Sequence, residues 1–399
     1  MEKKEKKGYI IVLLMIIIPV LIKVLLMPFG DLDEIWVYDL SRGISMGYVP
    51  YRDFHIVFTP LFNLLFSIPL LISRRLIVYR LTSAVLFSVM LFLIYKTGAE
   101  DVGKGAAVTV VAFSLFMFDV ATYNYLMFVF ALAVYMVNKK EPGKKRNIAL
   151  GVLVVLAALS RQTSGGILII TESVYLLIEN RKKKTGMIRY YFAGMLFPGL
   201  VFVIYLLASG SFVQFWDHCL FALIGFGSNN GIIDSGAMGL ILIVVIGIVA
   251  DLFLLYLKKE QRCLSHLLVG ISIICIAVPM VDFLHVTMAV MYFSVSILEL
   301  VHLFLSKYLK DFVGYIVYGF FAAGVIAVSI INVSGCYLSD EHKELVFIPL
   351  TGMETGFKGI ADKNAELEAE GKNVRVVSSG ASLVSILSED YDPTFDLFL

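Results

Sequence analysis

Residues 31 to 55 read DLDEIWVYDLSRGISMGYVPYRDFH, a polar segment set directly between two apolar runs. By residue 34 it already holds three carboxylates, Asp31, Asp33 and Glu34, and Arg42, Arg52 and His55 follow. Charge at that density is costly at a lipid boundary unless it binds or reacts with something. Immediately upstream, MEKKEKK leads into YIIVLLMIIIPVLIKVLLM, too long for a signal-peptide core and without a small-residue cleavage site. That run reads as a first spanning helix, which delivers the acidic segment to the far side of the membrane.

The rest of the chain agrees with a membrane setting. Hydrophobic residues make up 59% of the 399, charged residues 16%, and the mean hydropathy is +0.86. Too little polar surface is left to cover a soluble globule of this size. The expected class is an all-α polytopic membrane protein of the plasma membrane. A net charge of +1, with no basic block interleaved with aromatics, gives no reason to expect nucleic acid as a partner. The four cysteines, at 219, 263, 275 and 336, lack metal-ligand spacing.

Basic clusters at 139–146, 181–184, 258–262 and 307–310 each close an apolar run and read as cytoplasmic loops, with a cytoplasmic N-terminus. Segments 31–55, 161–165, 210–236, 282–285 and everything after 333 then fall outside. Between 54 and 137 lie four apolar runs, near 56–73, 76–95, 105–118 and 121–137. An inner N-terminus with an outer tail requires an odd total, so one of the four fails to cross, the short 105–118 run and the proline-bearing 56–73 run being weakest. About eleven helices is the expectation, thirteen the upper alternative. Residues 1–334 form the transmembrane domain with its outer loop 29–55. Residues 335–399 form an outer-side tail in which LVFIPL and VRVVSS flank a helix-like ADKNAELEAEG, the pattern of a small α/β appendage. The tail is acidic, with twelve Asp and Glu against five Lys and Arg over 340–396. It stops at FDLFL, which reads either as a truncated end or as a terminus packed on the membrane domain.

Within the first outer loop, Asp31 and Asp33 have two readings: caps for a helix starting near Glu34, or an acidic pair for general acid–base work. Glu34, Tyr38, Asp39 and Arg42 recur at helical spacing opposite Ile35, Trp36, Ile44 and Met46, which predicts an amphipathic helix lying on the membrane surface. Val49-Pro50-Tyr51 forces an extended exit.

This loop, together with FTPL at 58–61, resembles the first outer loop of the GT-C glycosyltransferases, in particular bacterial relatives of the protein O-mannosyl and lipid A aminoarabinose transferases. The specific motif covers about thirty residues, the hydropathy plan the first 335. The resemblance implies a GT-C-like fold and transfer of a sugar from a polyprenyl-phosphate donor to an acceptor hydroxyl on the outer face. It also implies Asp33 as the general base and Glu34 as its acidic companion. SRQTSGG at 160–166 and DFLH at 282–285 resemble polar spots that face the same cavity. Where well-studied members place a lysine before paired prolines, this chain has Thr59-Pro60, so the phosphate contact has to come from another residue.

Arg161 is the first candidate, since it ends an apolar run at the outer face and precedes Gln162, Thr163 and Ser164. Arg42, Arg52 and His55 follow, though Arg52-Asp53 also reads as a local ion pair. Asp282 and His285, one helical turn apart, form an orienting or protonating pair, or a structural one. Asp119, Tyr123 and Asn124 are polar in an apolar setting and are candidates to line a sugar cavity. Glu172 reads as a helix–helix contact, Lys23 as a snorkelling lysine, and the segment around Trp216 as a lid or a re-entrant hairpin. Asp33, Glu34 and a donor phosphate are able to share a divalent ion, but no second ligand cluster calls for one, and metal independence is the expectation. Expected partners are the lipid-linked donor, a glycan, lipid or protein acceptor, and membrane lipids. The competing readings are a flippase or transporter for lipid-linked sugars, whose internal repeat and midplane charges are not seen here, and a ligase that moves an oligosaccharide en bloc.

Overall fold

A computed structural model describes residues 2–26, 32–118, 122–183, 186–221, 235–278, 281–305 and 311–334, with isolated residues at 363, 366, 369 and 370. Asp31, Asp119, residues 222–234 of the Trp216 segment and the acidic tail lie outside the described residues. Those that are described form fourteen α-helices and no β-strand. They are α1 (Glu2–Leu26), α2 (Leu32–Ser45), α3 (Leu61–Leu70), α4 (Leu76–Asp101), α5 (Lys104–Met117), α6 (Tyr123–Asn138) and α7 (Lys144–Ser160). The series continues with α8 (Gln162–Lys183), α9 (Ile188–Ser209), α10 (Phe212–Phe215), α11 (Ala237–Lys258), α12 (Gln261–Ile274), α13 (Phe283–Leu305) and α14 (Asp311–Ser334).

Six of these, α1, α4, α9, α11, α13 and α14, are long and apolar enough to cross a membrane by themselves. Their outward faces carry exposed Ile10, Ile18, Phe197, Ile204, Leu242 and Phe320, an apolar surface that only lipid can cover. The chain is an integral membrane protein. Side-chain contacts divide the bundle into two ends. At one, Lys139 binds Glu100 and Asp101, Arg262 binds Asp101 and Glu299, Lys258 binds Glu299, and Arg146 binds Glu179. At the other lie Glu34, Arg80 and Arg161. The ten residues of α3 reach about 15 Å at 1.5 Å per residue, half the hydrocarbon thickness. The proline-bearing run is therefore too short to cross by itself, whereas α4 is long and apolar enough to do so. Leaving aside α2, α3 and α10, eleven helices remain among the described residues.

Helices α2 and α3 form a plug at the second end. Asn63 of α3 donates to Val37 O at 2.9 Å and to Ser41 Oγ at 3.0 Å, and Tyr38 OH donates to Arg74 O at 2.6 Å. Because partners exist on all sides, Glu34 through Gly43 are buried around the full circumference of α2. This corrects the surface-lying amphipathic helix: its polar face is turned into protein, where Glu34, Asp39 and Arg42 find ionic partners, rather than out to headgroups.

Lys23 corrects a second expectation. It does not snorkel; its ammonium donates to Leu115 O at 2.9 Å, Phe116 O at 3.2 Å and Phe118 O. These are carbonyls that α5 leaves unpaired at its C-terminal end, where a cation also meets the negative pole of the helix dipole. Lys23→Met is expected to destabilise the fold by about 1–3 kcal/mol through lost charged hydrogen bonding, and so to lower the thermal unfolding midpoint. Unfolding followed in detergent checks it; an unchanged midpoint would show that water or lipid replaces the lysine freely.

Between α7 and α9 the backbones nearly touch. A Cβ on Gly151 would stand 2.1 Å from Tyr191 O, and one on Gly194 2.2 Å from Ile148 O. Only glycine permits that approach, the small-residue packing usual between helices in lipid. The expected helix–helix role of Glu172 on α8 is met by Asn138 of α6, which donates to it at 2.8 Å and to Ser265 Oγ of α12 at 2.9 Å.

Candidate active site

Asp33 sits in the first turn of α2, partly exposed, and its carboxylate is within electrostatic range of His285, Asp282 and Arg161. Burial pushes its pKa up; the charges of His285 and Arg161 pull it back, Asp282 adds to the rise, and the net shift is upward. The result is a carboxyl that holds its proton more tightly than usual, hence a stronger base once ionised.

Arg161 lies in the extended junction between α7 and α8, buried with 7% of its surface exposed. Nη1 donates to Asn124 Oδ1, and Nη2 donates to Ile276 O at 2.7 Å and Val278 O at 3.2 Å. Its guanidinium also stands 5.3 Å from the ring of Tyr123, whose other neighbour is Phe58, stacked at 4.2 Å. The buried Nε has no acceptor among the described residues. Tyr123 thus braces the arginine through its ring.

Asp282 precedes α13 and caps it: Oδ1 accepts from the amide of His285 at 2.9 Å. Oδ2 lies 2.6 Å from His285 Nδ1, which leaves the other ring nitrogen for a ligand. Burial raises the Asp282 pKa, but the hydrogen bonds and charge of His285 and the Leu284 amide outweigh it, and the carboxyl is held below its ordinary range. One residue therefore both starts the helix and fixes the imidazole. Asp33, Arg161, Tyr123, Asn124, Asp282 and His285 come from four parts of the sequence and meet at one end of the bundle.

Other candidates lie apart from this group. Glu34 is fully buried and forms a two-pronged pair with Arg80, which also donates to Val24 O at 2.6 Å. Its carboxylate is committed to tying α2 to α1 and α4, so the catalytic companion role is corrected to a structural one. Arg42 is buried beside Asp39, 3.8 Å away on its own helix. Arg52 pairs with Asp53 at 2.8 Å and touches Ser209 O at 3.4 Å, so it fixes the loop in the manner of the local ion pair. Gln162 bridges backbone, donating to Val57 O at 2.7 Å and Cys219 O at 3.1 Å and accepting from Thr59 N at 3.3 Å. With its amide used on both sides, it staples the loop to the π-helical turn Trp216–Phe221 rather than reaching for phosphate. His55 packs its ring 3.7 Å from that of His218 on the same turn.

Thr59 docks its hydroxyl on Ala158 O at 2.8 Å, so the position noted for its missing lysine is used for packing. Tyr51 adopts φ +69°, a left-handed conformation that costs energy for an aromatic residue, and its buried ring and 2.8 Å hydrogen bond to Phe58 O hold it there. Arg80 is a residue that the sequence reading did not single out. A single arginine one turn into an apolar helix, with a glutamate in the first turn of α2, is the signal that was available.

No protein-family model matches the chain, and no curated protein matches it in sequence. Solved structures are similar in fold. ArnT from Cupriavidus metallidurans bound to undecaprenyl phosphate superposes with a TM-score of 0.51 at 12% identity, over 94% of this chain and 74% of that one. The oligosaccharyltransferase of Archaeoglobus fulgidus, in complex with zinc and sulfate, gives 0.50 at 11% identity, over 96% of this chain. This chain spans only 62% of that larger enzyme. The fold is that of the GT-C membrane glycosyltransferases.

Proposed function

We propose that the chain is a glycosyltransferase that moves a sugar from a polyprenyl-phosphate donor to an acceptor hydroxyl at the outer face of the membrane. The observation that carries this reading is the convergence of Asp33, Arg161 and the Asp282–His285 pair at one end of a GT-C fold, each held by a different element. In this reading that end is extracytoplasmic, the N-terminus is cytoplasmic, all eleven long helices cross the bilayer, and residues 335–399 follow on the outside.

Asp33 accepts the proton of the acceptor hydroxyl, and that oxygen attacks the anomeric carbon. The bond to the phosphate oxygen breaks, and polyprenyl phosphate leaves with the bonding pair. Arg161 stands where its fixed charge and unused Nε–H are able to stabilise the departing anion. Nη1 and Nη2 are both held by protein acceptors, so it is pre-organised and loses little freedom on binding. His285, oriented through Nδ1, presents Nε2 to a substrate hydroxyl or phosphate oxygen. Phosphate needs little protonation to leave, so one base and one cation suffice. A single displacement inverts the anomeric centre, and the reaction is proposed to run without a metal.

The test is release of polyprenyl phosphate from a panel of short-chain polyprenyl-phosphate sugars by the purified protein in detergent. Release from one donor class is the expected result and identifies the sugar. No release from any donor, together with movement of a fluorescent lipid-linked sugar across vesicles, would replace this reading with the transporter.

A further inference from the structure

At the end of the bundle opposite Asp33, a recess of about 570 Å³ opens where α6 meets α7. Lys140, Lys144, Lys145 and Arg146 line it, against one acid, Glu141. The neighbouring cations are consumed by protein: Lys139 by Glu100 and Asp101, and Arg146 by Glu179 and the carbonyls of Val137 and Asn138. Lys140 and Lys145 are different. Both are exposed, and neither has an acidic partner among the described residues. Lys144 lies 5.5 Å over the ring of Tyr190, at the start of α9.

From Tyr190 an apolar stripe runs along α9 at helical spacing through Phe197, Leu200, Val201 and Ile204, and all four side chains are at least half exposed. Ile148, one turn beyond Lys144 on α7, is exposed as well. Through Lys144 the recess thus adjoins a lipid-facing surface on the helix packed against α7. A soluble anion would use the cations and have no use for the stripe; a lipid would use both.

We propose that this recess holds the phosphate headgroup of an anionic phospholipid whose acyl chains lie along the Tyr190 face of α9. The charge requirement comes from Lys140, Lys144 and Lys145, and the lipid requirement from the stripe. The inference does not depend on the transferase reading, since it concerns the other end of the bundle.

Full-length protein in detergent is titrated with phosphatidylglycerol, phosphatidylcholine or inorganic phosphate. The thermal midpoint is followed, and retained lipid is counted by native mass spectrometry. Phosphatidylglycerol is expected to raise the midpoint and to be retained, and phosphatidylcholine and phosphate are not. Lys140→Gln with Lys145→Gln removes two exposed charges without touching a packed side chain. It is expected to weaken the apparent phosphatidylglycerol affinity by roughly tenfold or more. Lys104→Gln, an exposed cation at the same end but outside the recess, is expected to leave it unchanged. Equal phosphatidylglycerol binding by the double variant would overturn the site. A midpoint shift reproduced by inorganic phosphate alone would overturn the lipid as its occupant, and one reproduced by phosphatidylcholine would overturn the charge requirement.

Discussion

Asp33→Asn is expected to lower the rate of donor turnover by roughly 10²–10⁴, the usual worth of a positioned general base. It should do so without weakening the fold. Burial raises the Asp33 pKa above its ordinary 3.8, so the folded protein binds that proton more tightly than the unfolded chain does. The carboxyl thus favours folding most below its unfolded pKa, and its contribution falls as pH rises through the folded value. At neutral pH the ionised carboxylate opposes folding, and a neutral amide of the same shape removes that cost. Thermal unfolding of the variant should give a midpoint equal to or above that of the parent. A variant that lost turnover and stability together would point to a packing role.

Arg80→Ala is expected to have the largest effect on stability, about 3–5 kcal/mol, because it leaves the Glu34 carboxylate fully buried without its cation. The damage should reach the site as well. Glu34 neighbours Asp33 in sequence, and the pair with Arg80 is what anchors the first turn of α2 to α1 and α4. Replacing both partners, Glu34→Met with Arg80→Met, removes the two charges together and is expected to recover most of the midpoint. Its turnover should also exceed that of Arg80→Ala. Double-variant stability equal to the single loss would mean that Arg80 acts through packing or the Val24 carbonyl alone.

The sequence made the membrane class and the polar loop plain, because long apolar runs and a cluster of uncompensated carboxylates leave few alternatives. The weakness of the proline-bearing run was also legible, and α3 is only ten residues long. What composition could not distinguish was which charge meets which. Asp33 and Glu34 are adjacent and chemically alike, yet successive residues on a helix point about 100° apart, so one faces His285 and Arg161 while the other faces Arg80. Arg161, Arg42 and Arg52 all sit at helix ends in polar segments, and only their partners separate them: carbonyls and an amide for the first, nearby aspartates for the others. Gln162 resembled a phosphate donor because an amide is equally suited to stapling backbone. Asp282 and His285 lie some 250 residues from Asp33 in the chain, and their meeting depends on how α13 packs, which no local pattern encodes.

The measurement that bears most directly on the central claim is the pH dependence of kcat/KM for donor turnover, taken for the parent protein and for Asp33→Asn. It reports the ionisation of the free enzyme's essential base. For the parent, the rate is expected to rise with pH along a limb whose midpoint lies above 3.8, the ordinary value for an aspartate. In Asp33→Asn that limb should vanish, leaving a low rate that no longer follows the ionisation. The same limb at the same midpoint in the variant would contradict the account and place the base on another residue.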